Sequence, residues 1–349
     1  MSKQTRMCSK RKEMSLEMAE RQVRWGVLGS ANIAASAFVP AVKESGGGRL
    51  VAVGSRDEER ARGFAETHGF AKAYGSYEQV LDDPEVEAVY IPLPNTYHLE
   101  WIVRAAEAGK HVFCEKPLTM TADEARQAVA ACEKHGVLLA EAFVWRYHRQ
   151  TKTIEEILDR GDIGNVRHTE AIFQFKFSGP KSNIRLRPEV GGGALMDVGC
   201  YVLSWALFAM GEAPTEIAAT SVMYESEGVD KTTVATLRFP KDRTANVSSS
   251  FGMLGGQRAT VYGDLGILEV TQPFHPRQGA AKLFLTRKNK REEVPVDASV
   301  HPFTDAVTTF QECVVQGTPL PIPASDLIDQ ARTVEACRKA GLSNTWVTV

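Results

Sequence analysis

A chain of 349 residues exceeds the roughly 250 to 300 at which a single hydrophobic core stops growing, so two domains are expected. With 43% hydrophobic and 24% charged residues and a formal net charge of -2, the composition is that of an ordinary soluble globular protein and speaks against a nucleic-acid partner. No uninterrupted apolar stretch approaches the ~20 residues of a membrane helix, YVLSWALFAMG being too short, so no membrane association is expected.

Residues 1–23 form a basic leader, expected to be a disordered tail or extension. The first 24 residues hold seven Lys or Arg against three Glu, which leaves about -6 on the remainder. The leader has no apolar h-region, so export is not expected. From residue 24 short apolar runs alternate with helical segments: the strands RWGVLGS, LVAVGS, VEAVYIPLP, HVFCEKP and VLLAEAF, with helices between them that include DEERARGFAETHG, HLEWIVRAAEAG and TADEARQAVAACEKHG. Five such steps over residues 24–145 predict an α/β fold with a doubly wound parallel sheet. Thr121 and Glu124 form a capping box at the start of the last helix, and Gly136 stands past its end.

After residue 145 the texture changes. A helix over TKTIEEILDRGDIG leads into period-two segments such as VRHTEAIFQFKF, EIAATSVMYES, KTTVATLRF and TANVSSSFGM, with PKDR as a tight link. A second α+β domain over 146–349 with a mostly antiparallel, open-faced sheet follows, and that face suits a homodimer or homotetramer. Six scattered cysteines without a C-x-x-C pair predict reduced thiols, no metal site and a cytoplasmic protein.

Five stretches carry chemistry. GVLGSANIA places Gly29, Ser30, Ala31, Asn32 and Ile33 at a strand-to-helix turn, where a dinucleotide pyrophosphate would meet a helix N-terminus. Only the first glycine of G-x-G-x-x-G is kept, with Ala31 and Ala34 at the other two positions. The second strand ends in Ser55 and Arg56. A guanidinium there binds a 2′-phosphate, so NADP(H) is preferred; Asp57, turned inward, would select NAD(H) instead. IPLPNTYH brings Pro92, Leu93, Asn95 and His98 to the carboxyl edge of the sheet, His98 as part of the cofactor-side wall. CEKPLT ends the fourth strand in Glu115, Lys116 and Pro117. IRLRPEVGGGALMDVGCY runs three glycines into a helical segment that sets Asp197 and Tyr201 four residues apart on one face.

Together these stretches resemble the glucose-fructose oxidoreductase/inositol dehydrogenase family (Gfo/Idh/MocA) across residues 24–349, on the strength of GVLGSANIA, the EKP at 115–117 and GGGALMDVGCY. Tyr201 stands where many members have His, which is similar to the branch of glucose-fructose oxidoreductase, dimeric dihydrodiol dehydrogenase, NADP-dependent xylose dehydrogenase and deoxysugar ketoreductases. The resemblance implies a Rossmann domain followed by a substrate domain, an NADP(H)-dependent oxidoreductase, and a sugar, keto-sugar, polyol or diol as substrate. It also implies that Lys116 and Tyr201 meet at the nicotinamide, Lys116 lowering the tyrosine pKa and polarising the alkoxide while Asp197 orients a neighbouring hydroxyl. Glu115 and Pro117 are implied as positioning residues, with a cis bond before Pro117, and together with Lys116 they are expected to contact the cofactor. Trp145, Arg146, Arg185 and Arg187 are candidates to face the sugar or the cofactor, with a solvated or packing role as the alternative for each. Two alternatives share the motifs: a glycosidase that oxidises its substrate transiently, and a non-catalytic NADP-sensing regulator.

Overall fold

In the computed structural model, which describes residues 21–349, two sheets organise the chain. The expected leader falls almost wholly on residues outside the described ones. Strands β1 (Val23–Leu28), β2 (Gly48–Gly54), β3 (Lys72–Tyr74), β4 (Ala88–Ile91), β5 (His111–Cys114) and β6 (Leu139–Glu141) pair in parallel in the order β3-β2-β1-β4-β5-β6. Helices α1 (Val39–Ser45), α2 (Glu58–His68), α3 (Tyr77–Asp82), α4 (His98–Glu107) and α5 (Ala122–His135) connect them. Because helices cover both faces, strand residues such as Val23, Trp25, Val27 and Leu28 are all fully buried. The strand order reverses between β1 and β4, which opens a crevice at the carboxyl ends.

The sequence reading passed over β3 and α3. Three half-buried edge residues, KAY, carry no readable period, and Lys72 is held there by Asp83 at 2.9 Å. The capping box at α5 is present in altered form. Thr121 Oγ1 accepts from the Glu124 amide at 3.2 Å, but the Glu124 carboxylate accepts from Met120 N–H at 2.8 Å and not from Thr121.

After α6 (Arg149–Asp159), nine strands form the second sheet: β7 (Val166–Lys176), β8 (Glu216–Met223), β9 (Asp230–Phe239), β10 (Arg243–Ser250), β11 (Gly252–Gly263), β12 (Gly266–Val270), β13 (Leu283–Arg287), β14 (Lys290–Val294) and β15 (Trp346–Thr348). Their order is β14-β13-β12-β11-β7-β10-β9-β8-β15, antiparallel except for the parallel pair β7 and β10. The PKDR link is a hairpin with Lys241 and Asp242 at φ 62° and 55°, the left-handed pair that suits strand twist. Inward residues Ala235, Leu237, Ala245 and Val247 pack with Leu203 and Trp205 of α7 (Cys200–Met210) in one core. The opposite face is open, with Val222, Val234 and Trp346 exposed.

Two helices, α8 (Pro302–Gln316) and α9 (Ala324–Ser343), lie between β14 and the final strand β15. The first returns to the parallel sheet: Phe310 lies 5.3 Å from Trp25 and 5.5 Å from Phe113, ring to ring. The helical run Pro188–Met210 is longer than its apolar core YVLSWALFAMG suggested, and 23 residues match a membrane span in length and composition. Its most apolar part is mostly buried within the protein, and its apolar side chains pack in the core of the second sheet.

Candidate active site

The glycine turn after β1 lies at the mouth of the crevice. Gly29 takes φ 121°, a backbone that side chains disfavour, and a Cβ there would sit 3.2 Å from Leu93. The helical segment that follows opens with a π-helical stretch, Ala34–Phe38, that runs into α1, and at its start Ala31, Asn32, Ile33 and Ser36 face an open cleft of about 700 Å³. Its leading amides have no acceptor within the helix, which is the donor set a pyrophosphate requires. At the end of β2, Asp57 is turned away. Its carboxylate caps α2, accepting from the Arg60 amide at 3.1 Å. Arg56 is left exposed beside the Tyr77 hydroxyl, and the Arg60 guanidinium reaches the Ser30 carbonyl at 3.4 Å. Two guanidiniums with no inward carboxylate fit a 2′-phosphate. Arg60, which the sequence reading missed, sits one helical turn past Arg56, a spacing that was available to it.

The floor of the cleft is built from three elements. The segment after β5 carries Glu115 and Lys116, and the bond from Lys116 to Pro117 is cis. Opposite stand the 191–193 glycines and a π-helical turn, Leu195–Gly199, that runs into α7 and presents Asp197 and Tyr201. Lys116 Nζ donates to the Asp197 carbonyl at 2.7 Å and to Asp197 Oδ1 at 3.1 Å, and it lies 5.0 Å from the centre of the Tyr201 ring. Arg185 Nε grips the other carboxylate oxygen at 2.7 Å. The glycines serve the chain's own packing as well as the cleft. A Cβ on Gly192 would meet three carbonyl oxygens at 2.8 Å, and one on Gly193, at φ 113°, would meet Asp230.

Burial and charge compete at each group. Burial opposes charge on Lys116, but the acidic groups around it, Asp197 first among them, together more than offset it, and the ammonium pKa rises. Burial would raise Asp197, yet Lys116 and Arg185 hold it below the usual carboxylate range. Tyr201 departs from expectation. Its ring packs against Phe143, Phe173 and Phe274, and this burial raises the phenol pKa despite the lowering effect of Lys116. Burial outweighs the ammonium, so Tyr201 is a protonated phenol at neutral pH.

Other candidates lie elsewhere. Trp145 is fully buried in the core against Trp205, 5.8 Å away, and touches no cleft. Arg146 stacks on Phe208 and pairs with Asp326 at 3.4 Å, outside the cleft. Arg187 pairs with Glu189 at the surface, at 2.7 Å. These three are corrected: an aromatic or a cation near a motif is as easily taken up by core packing or a local ion pair. His98 is also corrected, from wall to support. Its ring lies buried between the carbonyls of Pro117 at 2.9 Å and Leu93 at 2.8 Å, so it braces the two loops from behind. A neutral imidazole can donate to one of them only. Asn95 does line the cleft, but its amide nitrogen donates to the Gly191 carbonyl at 2.8 Å and ties the two sides together. Ser55 is buried, while Pro92 and Leu93 face the cleft.

Behind the Lys116 segment, Glu141 Oε1 accepts from Leu118 N–H at 2.7 Å. Burial pushes this carboxyl up to about 8, against the opposing hydrogen bond from Leu118 and the charge of Arg146. The folded chain thus keeps a proton that an unfolded Glu loses near 4.5, and stability falls as pH rises from that value through about 8. Glu141→Gln mimics the protonated acid and lacks this dependence. Its melting temperature is expected to match the wild type near pH 5 and to exceed it at pH 9 by on the order of 5 °C, read by thermal unfolding. Equal pH slopes in the two proteins would overturn the assignment.

Sequence reasoning missed the aromatic wall Phe173 and Phe175 on β7, and His275, whose ring sits 5.6 Å from Tyr201. Both come from strands or loops whose approach to the cleft is set by the second sheet. Burial, followed by the charge of Lys116, lowers His275 to about 4 and keeps it neutral.

Residues 23–143 match the family model of an oxidoreductase family with an NAD-binding Rossmann fold (GFO_IDH_MocA), and residues 151–269 match the GFO/IDH/MocA C-terminal domain. Among similar proteins, a D-xylose 1-dehydrogenase (NADP(+)) of Haloferax volcanii is 35% identical over 312 residues, 89% of this chain and 95% of that protein. The crystal structure of an aldose-aldose oxidoreductase from Caulobacter crescentus with glycerol superposes with TM-score 0.86 at 27% identity, over 94% of this chain and 100% of that one. That of a 3-ketoreductase from Actinomadura kijaniata with NADP and TDP-benzene does so with TM-score 0.83 at 31% identity, over 92% and 98%.

Proposed function

We propose, from the premise that this chain belongs to the GFO/IDH/MocA oxidoreductase family, that it interconverts a hydroxyl and a carbonyl on a neutral sugar or polyol with NADP(H). The observation that carries the reading is the Tyr201 phenol beside the Lys116 ammonium in the cleft at the carboxyl edge of the parallel sheet. Ser30 to Ile33 would hold the pyrophosphate, and Arg56 with Arg60 the 2′-phosphate. NADPH, when bound, supplies the hydride. Tyr201 gives its proton to the carbonyl oxygen during reduction, and takes one from the hydroxyl during oxidation. Lys116, fixed by Asp197, stabilises the negative charge that develops on that oxygen.

A neutral substrate is favoured by the charges lining the cleft. Lys116 and Arg185 both grip Asp197, and His275 is uncharged, so a phosphate group would have to compete with that carboxylate. Phe173 and Phe175 offer apolar faces on which a sugar ring can lie.

The test is a panel of aldoses, keto-sugars, dihydrodiols and nucleotide-linked sugars, each assayed with NADP(H) and NAD(H). Turnover of unphosphorylated sugars or polyols, faster with NADP(H), is expected. Preference for NAD(H) would sink the role of Arg56, and preference for nucleotide-linked sugars the neutral-substrate reading. Sugar release from a glycoside without net change in NADPH would point to the glycosidase alternative.

A further inference from the structure

His275 stands in the cleft wall with both ring nitrogens free of hydrogen bonds among the described residues. Other histidines of the interior are engaged. His98 lies between two carbonyls, His111 Nδ1 accepts from Leu138 N–H at 3.0 Å, and His148 meets Val300 O at 3.2 Å and Gln150 N–H at 3.0 Å. His275 is nonetheless held in place. Its ring packs on Phe173, with centroids 5.5 Å apart, and on Tyr201. Gln257 Oε1 pins its backbone by accepting from the amides of Phe274 at 2.7 Å and His275 at 2.9 Å. A polar ring packed on two neighbours, with its backbone pinned and its nitrogens unbonded, is completed by whatever fills the cleft.

A neutral imidazole donates through one nitrogen and accepts through the other, which matches a hydroxyl group and offers a phosphate no charge. Ring contact with Tyr201 places that imidazole beside the phenol that meets the reacting oxygen, so the next oxygen along the substrate falls to it.

We infer that His275 binds the hydroxyl adjacent to the reacting carbon, the carbon-2 hydroxyl of an aldose oxidised at carbon 1, so that vicinal hydroxyl substrates are selected over simple alcohols and aldehydes. This rests on the oxidoreductase reading above. Removing one of two well-placed partners costs roughly 10-fold in kcat/KM, and removing the second costs little more.

The experiment compares D-xylose and D-glucose with their 2-deoxy analogues and NADP+, in wild type and in His275→Phe, which keeps the ring packing. Wild type is expected to lose roughly 10-fold or more in kcat/KM on 2-deoxygenation, largely through KM. His275→Phe is expected to lose a similar factor on the parent sugar and about nothing further on the 2-deoxy sugar, with NADPH binding unchanged. His275→Asn, which keeps a donor and an acceptor, is expected to recover part of the discrimination. Equal discrimination by wild type and His275→Phe overturns the assignment while leaving the oxidoreductase reading intact. Absence of turnover by wild type on these aldoses also overturns the assignment, and absence of turnover on the whole panel above overturns the oxidoreductase reading with it.

Discussion

Tyr201→Phe is expected to lower kcat by roughly 10²- to 10⁴-fold while NADPH affinity stays within a few-fold of wild type. The substitution keeps the ring that packs against Phe143, Phe173 and Phe274 and under the Lys116 ammonium, and removes the hydroxyl alone. A loss of turnover without loss of fold is therefore attributable to the proton. The pH dependence gives a second signature. Burial keeps the phenol protonated above its ordinary pKa of 10.0 despite Lys116, so the proton donor for reduction is present throughout the neutral range. Oxidation needs the deprotonated form. Its rate in wild type is expected to climb with pH, by about tenfold per unit where the phenol stays protonated, without a plateau below about pH 10. A Phe variant within tenfold of wild type, or an oxidative rate flat between pH 6 and about 9, would remove Tyr201 from the proton path.

Lys116→Met is expected to cost on the order of 10²- to 10³-fold in kcat, the scale of losing one preorganised charge at a developing oxyanion. It is also expected to destabilise the fold, because Asp197 keeps Arg185 alone as a charged partner in a largely buried site. Breaking such a pair costs about 3 to 5 kcal/mol, with the lower end expected where a second cation remains. The two effects separate in the double variant Lys116→Met with Asp197→Asn. Stability should return, since no uncompensated carboxylate is left, while kcat should stay low. Denaturant unfolding and steady-state turnover measured on the same samples decide it. Recovery of turnover in the double variant would reduce Lys116 to a neutraliser of Asp197.

Much of the architecture was legible because the parallel sheet writes continuous apolar runs between capped helices, as VEAVYIPLP and TADEARQAVAACEKHG do. Edge elements were not: KAY and KREEV are short and half exposed, and nothing periodic marks them. In the site, the stretches 29–33, 115–117 and 191–201 announced themselves through glycines and misplaced charges. Single residues nearby misled. Trp145 and Arg146 follow the sixth strand at its carboxyl end, where ligands bind in this architecture, but packing takes both into the interior side of the protein.

Residue type and spacing alone mark a lysine at a strand end and a tyrosine beyond a glycine run, and it is the resemblance carried by EKP and GGGALMDVGCY that implies the two meet. Only the tertiary structure decided what the pair does to itself. Sequence supplies the charge that lowers a phenol pKa, but the opposing desolvation depends on which aromatic rings close over it, and Phe143, Phe173 and Phe274 arrive from three separate segments. The same holds for the partner of Lys116. The ammonium could have met the phenol oxygen, and the turn of the π-helix gives it the Asp197 carboxylate and carbonyl instead. Solvent exclusion and side-chain direction are properties of the assembled cleft, and no stretch of chain carries them by itself.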